Sequence, residues 1–188
     1  MRRPALTILL TLGIWAPLQA PAAPFVFDAT SQGIAFRVES SNEGSINRVT
    51  LQMTGKGGVL ATFEKEADGT ITGAEIADLD SNGYSEIYIY VTSAGSGSYG
   101  SIIAYASNRN LSFSEIYLPP VSDDPELADG YLGHDEFAVG EGALLRRFPV
   151  YRKADSNASP SGGMRQIQYE LVAGEAGWVL SHYRILEY

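Results

Sequence analysis

The 188-residue chain contains no cysteine. It therefore has no disulfide, no thiolate metal site, no cysteine nucleophile and no lipobox cysteine for a lipid anchor. Basic residues are also few, with 13 Lys and Arg against 22 Asp and Glu and a formal net charge of −9 at pH 7. An acidic surface disfavours nucleic acid and anionic lipid and favours a cationic partner. The plainer explanation, that acidity only keeps the chain in solution, stays open at this point.

No apolar run reaches the roughly 20 residues that a membrane-spanning helix needs. The uncharged run at 5–15 follows two arginines and precedes an A-x-A pair that ends at Ala22. This order predicts a secretory signal peptide over 1–22, cleaved after Ala22. Cleavage would remove two arginines and no acidic residue, so the net charge would become −11. We expect a periplasmic protein of one domain, 23–188, which is held together by its core and has no membrane attachment.

Helical periodicity is scarce as well. Short stretches rich in Val, Ile, Tyr, Phe and Thr alternate instead with clusters of Gly, Asn, Asp and Ser. They predict strands at 33–39, 45–53, 58–64, 70–77, 87–92, 101–106, 112–117, 143–151, 165–172 and 177–183. The longest irregular piece, 118–142, holds one predicted short helix at 123–129. The pattern is typical of an all-β, antiparallel β-sandwich of about eight or more short strands, with at most one short helix.

Two patterns that could indicate an enzyme are weak. Gly95, Gly97 and Gly100 satisfy G-x-G-x-x-G, but that pattern binds a dinucleotide only where a strand leads into a helix. The residues that follow here are β-like, so we expect no cofactor. The two histidines, His134 and His182, are accompanied by no G-x-S-x-G nucleophile elbow. Each is better explained as a structural histidine.

The stretch DLDSNGYSE at 78–86 places oxygen donors at Asp78, Asp80, Asn82 and Glu86. Their spacing matches the start of a calcium loop, but the position where an EF-hand has its bidentate Glu is an apolar strand residue. We interpret the stretch as a hairpin turn in which the Asp side chains make local hydrogen bonds. A weak calcium site is the alternative.

Ser96, Gly97, Ser98 and Tyr99 lie in a loop that is longer than a tight hairpin needs. Glycine lets such a loop protrude without steric cost. Serine hydroxyls and the tyrosine ring with its O–H are groups that recognition loops use. The loop could therefore enter a cleft whose floor carries acceptors such as two carboxylates. The alternative is a flexible hairpin that contacts nothing.

The same four residues match the S-G-x-Y motif of bacterial lysozyme inhibitors. Their setting, 78–108, resembles the periplasmic inhibitors of invertebrate-type lysozyme, and 144–180 is similar to the C-terminal half of that family. Inhibitors of chicken-type lysozyme share the motif, but their membrane-bound members carry a lipobox cysteine that this chain lacks.

The resemblance implies a non-enzymatic β-sandwich protein whose partner is an invertebrate-type lysozyme. Because members of the family are homodimers, it also implies a homodimer. It implies that the loop enters the lysozyme cleft, where the hydroxyls of Ser96 and Tyr99 meet the catalytic acids and Gly97 permits the turn. The alternative from another class is a calcium-stabilised secreted β module that binds a glycan or an adhesion partner. The first function needs Ser96 and Tyr99, and the second needs the acidic residues of 78–86.

Overall fold

Twelve β-strands make up most of the chain that the computed structural model describes, which is residues 23–140, 142–175 and 177–188. The predicted signal peptide, 1–22, lies outside these ranges. The strands are β1 (Phe25–Ser31), β2 (Ile34–Ser40), β3 (Ile46–Gly55), β4 (Gly58–Asp68), β5 (Thr70–Ala77), β6 (Glu86–Thr92), β7 (Gly100–Asn108), β8 (Ser112–Tyr117), β9 (Glu136–Gly140), β10 (Ala143–Pro149), β11 (Met164–Ala173) and β12 (Trp178–Glu187). Between β8 and β9 lie a 3₁₀ turn, Val121–Asp123, and one short helix, α1 (Pro125–Ala128).

The strands form two sheets. A four-stranded sheet has the order β1-β2-β3-β4, and an eight-stranded sheet has the order β5-β6-β7-β8-β12-β11-β10-β9. All neighbours are antiparallel except β8 and β12, which pair in parallel over a short stretch. The predicted all-β, antiparallel fold class with one short helix is confirmed.

The first core lies between the four-stranded sheet and one face of β6. Burial alternates along β2, because successive side chains of a strand point to opposite faces. The apolar side chains of the inner faces pack together as one cluster, which includes Phe36, Val38 and Leu51 from the four-stranded sheet and Ile87 and Ile89 from β6. This layer arrangement is that of a sandwich.

The second core lies on the opposite face of β6. There Tyr88 packs in one cluster with Phe148 and Ile167, which belong to β10 and β11 of the same sheet. The eight-stranded sheet must therefore curl to bring these strands over β6. Its two edge strands, β5 and β9, approach each other, and Glu75 Oε2 accepts the N–H of Val139 over 2.8 Å. The sheet is close to a barrel.

β6 is the central strand of the molecule, since six of its seven residues are buried. It carries the loop 93–99 at one end and the acidic loop 78–86 at the other. All ten strands predicted from the sequence are present, and β1 and β9 are two further strands. The predicted helix at 123–129 corresponds to α1. No helix within the described ranges is both long enough and apolar enough to cross a membrane.

Candidate functional site

The SGSY loop, residues 93–99, joins β6 to β7 and is closed by its own hydrogen bonds. The N–H of Ser93 donates to the carbonyl of Tyr99 over 2.9 Å, and the N–H of Tyr99 donates to Ser93 Oγ over 2.9 Å. Inside this closure the N–H of Ser98 donates to the carbonyl of Gly95 over 2.9 Å, which forms a four-residue turn. The loop therefore has one defined backbone shape.

Two segments from distant parts of the chain hold the tip of the SGSY loop. The N–H of His134 donates to the carbonyl of Gly97 over 2.6 Å, and Asn157 Nδ2 donates to the carbonyl of Ser96 over 2.7 Å. The two holding residues also contact each other, with 3.1 Å between His134 Nε2 and Asn157 Oδ1. The alternative of a flexible hairpin that contacts nothing is therefore wrong.

Close packing within the loop and against the segment before β9 favours glycine at two positions. A Cβ on Gly133 would lie 2.1 Å from the carbonyl oxygen of Gly97, and Gly133 has a φ of +89°. A Cβ on Gly97 would lie 2.4 Å from Cε2 of Tyr99. Gly97 thus permits the turn by leaving space for the tyrosine ring, while the positive φ in the motif is at Ser98, at +43°.

Asn157 reaches the SGSY loop from a connection that is itself braced. The carboxylate of Asp155 accepts the N–H groups of Arg152 and Ser161 over 2.7 and 2.8 Å. The hydrogen bond from the Arg152 backbone, followed by that from the Ser161 hydroxyl, lowers the pKa of Asp155. The hydroxyl of Tyr151 donates to the carbonyl of Asn157 over 3.0 Å. These bonds fix the place from which the Asn157 amide meets Ser96.

A buried ion pair anchors the end of the loop. Arg146 Nε donates to Asp135 Oδ1 over 2.7 Å, and the two side chains are 5% and 0% exposed. Asp135 Oδ2 accepts the N–H of Gly100, the residue after Tyr99, over 2.7 Å and the O–H of Tyr131 over 2.6 Å. Burial raises the pKa of Tyr131, so its hydroxyl stays a neutral donor. The cluster holds the start of β7 in a fixed position relative to β9 and β10.

Three hydroxyl groups of the SGSY loop, those of Ser96, Ser98 and Tyr99, are not used within the described structure. Ser96 is exposed and Tyr99 is 47% exposed, as predicted. Within the described ranges, no protein group makes a hydrogen bond with the side-chain hydroxyls of Ser96, Ser98 or Tyr99. The ring of Tyr99 meets the ring of Tyr131 edge-on, with 5.7 Å between their centroids. The loop thus offers three unused hydroxyls from a braced backbone.

The other candidates from the sequence, the glycine pattern and the two histidines, lie in turns and structural contacts. Gly100 begins β7, so the G-x-G-x-x-G pattern lies in a β-hairpin and not at a strand–helix junction. His134 braces the SGSY loop, as described above, and His182 Nε2 lies 3.7 Å from Asp124 Oδ2. No local pattern in the sequence indicates that Asn157 or Arg146 supports the loop, because both are far from it along the chain.

The acidic loop, 78–86, forms the predicted hairpin turn with local hydrogen bonds. Asp78 accepts the N–H groups of Asn82 and Gly83, each over 2.9 Å, and Asp80 Oδ2 accepts Asn82 Nδ2 over 2.7 Å. Gly83 has a φ of +84°. The structure also brings Glu86 to this turn, since carboxylate oxygens of Asp78, Asp80 and Glu86 all lie within 4.8 Å of one another.

Glu86 differs from the two aspartates in its burial. It is 1% exposed, and its Oε2 accepts the N–H of Leu79 over 2.8 Å. Burial, together with the smaller effect of the negative charges of Asp80 and Asp78, raises the pKa of Glu86 to about 8. A carboxyl group in this position favours its neutral form unless a cation is close.

Comparison with known proteins adds no relative: no family model matches the chain, and no curated protein is significantly similar to it. Support for a function therefore comes from the geometry of the SGSY loop and from the resemblance carried by its sequence.

Proposed function

We propose that the chain is a periplasmic inhibitor of invertebrate-type lysozyme, which inserts Ser96-Gly97-Ser98-Tyr99 into the active-site cleft. The observation that carries the proposal is the braced SGSY loop with its three unused hydroxyls. A loop that is already ordered loses little conformational entropy when it enters a cleft. The resemblance to lysozyme inhibitors supplies the target class, and the loop geometry supports it.

The chemistry of the target suits these groups. Glycoside hydrolysis of the lysozyme type needs two carboxyl groups, one that donates a proton and one that is ionised. A hydroxyl from Ser96 or Tyr99 that donates to either carboxyl blocks both the substrate and the proton transfer. Each hydrogen bond to a charged acceptor contributes roughly 1.5–3 kcal/mol.

Three hydroxyls alone are too small a contact, because stable complexes bury about 800 Å² on each partner. The surroundings of the SGSY loop offer more surface. Tyr99 and Tyr117 line one open groove, and both are about half exposed, at 47% and 55%. Leu132, next to Gly133, is 43% exposed. We infer that these side chains lie against the rim of the cleft when the loop is inserted.

The proposal is tested with the processed protein purified from the periplasm, whose first residue should be Ala23 and not Met1. Inhibition is measured against lysozymes of the invertebrate, chicken and goose types, and we expect the invertebrate-type enzyme to be inhibited most strongly. Inhibition of none of the three would refute the proposal.

The loop is tested with Tyr99→Ala and Ser96→Ala. Truncation of a central aromatic anchor costs roughly 2–4 kcal/mol of binding, a factor of about 30 to 800 in affinity. Ser96→Ala should cost less, about the 1.5–3 kcal/mol of one hydrogen bond. Tyr183→Ala is the matched control, because Tyr183 is 50% exposed on β12, outside the loop. Full inhibition by the double variant Ser96→Ala, Tyr99→Ala would exclude the loop from the mechanism.

A further inference from the structure

One carboxylate oxygen of the buried residue Glu86 accepts no hydrogen bond from the described residues. While Oε2 takes the N–H of Leu79, Oε1 has no hydrogen-bond partner among the described residues. The buried hydroxyl of Tyr88 has no hydrogen-bond partner among the described residues either, and burial, followed by the negative charge of Glu86, raises its pKa. An ionised carboxylate that is buried with one hydrogen bond and no counter-charge is strongly unfavourable. A bound cation would remove that cost.

The acidic loop places further oxygen donors around Glu86. The carboxylate oxygens of Asp78, Asp80 and Glu86 are no farther apart than 4.8 Å. Oxygen ligands of Ca²⁺ lie about 2.3–2.6 Å from the ion, so two ligands on opposite sides of it are about 5 Å apart. The three carboxylates therefore fit one calcium coordination shell. Each oxygen that accepts a backbone N–H keeps a second lone pair for the ion.

The spacing along the chain supplies the remaining ligands. Counted from Asp78 as position one, Asp80 is position three, Asn82 is position five, Tyr84 is position seven and Glu86 is position nine. Calcium loops take side-chain oxygens from positions one, three and five, a main-chain carbonyl from position seven and often a ligand at position nine. They also have glycine at position six, which is the place of Gly83 with its φ of +84°. The buried Glu86 at position nine supplies the third carboxylate that an EF-hand takes from position twelve.

We propose that the acidic loop is a calcium site, formed by Asp78, Asp80 and Glu86 together with the amide oxygen of Asn82 and the main-chain carbonyl of Tyr84. Three carboxylates and two neutral oxygens, completed by water, suit the six to eight ligands of Ca²⁺ better than the strict octahedron of Mg²⁺. The site connects β5 to β6 and stabilises the start of the central strand. It lies at the end of β6 opposite the SGSY loop, so it does not depend on the proposed function.

The experiment is calorimetric titration of the chelator-treated, processed protein with CaCl₂ and, separately, with MgCl₂. We expect about one Ca²⁺ per chain, with a dissociation constant of roughly 10⁻⁴–10⁻³ M or tighter, as in extracellular modules. Saturating Ca²⁺ should raise the melting temperature by several degrees, because an ion that binds only the native state stabilises it by mass action. EDTA should reverse the shift.

Three variants locate the ion. Asp80→Asn keeps the shape of a half-buried side chain, and it should weaken Ca²⁺ binding at least about tenfold. Glu86→Gln should do the same where it folds. Glu170→Gln removes an equal charge from an exposed position on β11 and should bind Ca²⁺ as the unaltered chain does.

Absence of Ca²⁺ binding in the unaltered protein would overturn the proposal. Equal affinity for Ca²⁺ in Asp80→Asn would place the ion elsewhere and overturn it as well. Equal affinity for Mg²⁺ and Ca²⁺ would overturn the assignment to calcium.

Discussion

Gly133→Ala tests whether the position of the SGSY loop determines inhibition. The new Cβ would lie 2.1 Å from the carbonyl oxygen of Gly97 and 3.2 Å from Cδ1 of Tyr99. An ordinary contact is about 3.4 Å or longer, so the loop must move by about 1 Å. The move breaks the 2.6 Å hydrogen bond from His134 to Gly97, which is worth about 1 kcal/mol. Alanine at a positive φ costs roughly another 1–2 kcal/mol.

Gly33→Ala is the matched control. Gly33 has a φ of +83°, close to the +89° of Gly133, but a Cβ there would meet nothing within 4 Å. Both variants should therefore lose about 1–2 kcal/mol of unfolding free energy from backbone strain. Gly133→Ala should lose about 1 kcal/mol more for the broken hydrogen bond. Both should stay folded, because domains of this kind have about 5–15 kcal/mol of stability.

The assays are urea unfolding and inhibition of an invertebrate-type lysozyme. A displacement of 1 Å takes the hydroxyls out of hydrogen-bond geometry, so we expect Gly133→Ala to lose at least about tenfold in inhibition, or 1.4 kcal/mol. Gly33→Ala should inhibit as the unaltered protein does. Equal inhibition by the two variants would refute the argument that the fixed backbone of the SGSY loop matters.

Two further predictions concern stability. Arg146→Met leaves the carboxylate of Asp135 buried without its cation and should cost about 3–5 kcal/mol in urea unfolding; a loss below about 1 kcal/mol would contradict the buried ion pair. Because hydrogen bonds lower the pKa of Asp155, its ionised form stabilises the fold above the ordinary carboxyl pKa of about 3.9 and this stabilisation is lost as the pH falls through the lowered value. Asp155→Asn should therefore be less stable than the unaltered protein at pH 7 and equal to it in strong acid, and a difference in melting temperature that does not change with pH would contradict the assignment.

The sequence predicts most strands because alternation along a strand depends on the strand itself. Two exceptions are instructive. β1 is an edge strand whose residues are only half buried or exposed, so its pattern is weak. β9 is five residues long and lies in an acidic, irregular stretch, and its place depends on pairing with β10 and on Glu75 of β5. Such long-range contacts leave no local signal.

In the candidate site, too, the local features could be predicted from the sequence and the long-range contacts could not. Ser96 and Tyr99 are recognisable from a four-residue motif, and their exposure follows from the absence of apolar neighbours. The groups that brace them, His134 and Asn157, are 37 and 61 positions away from the carbonyls they bind at Gly97 and Ser96. No periodicity connects positions so far apart, and only the folded chain brings them together.

The contact of Glu75 with Val139 brings two strand edges of the large sheet together, so that they are not open to strand addition. An edge strand with free N–H and C=O groups is a template for fibre growth. In the described strands, β5 and β9 face each other, which leaves the edges of β1 and β4. β4 carries the charged run 64–66, a common guard against strand addition. Strand-by-strand polymerisation would therefore start at β1, Phe25–Ser31, the strand closest to the predicted cleavage point.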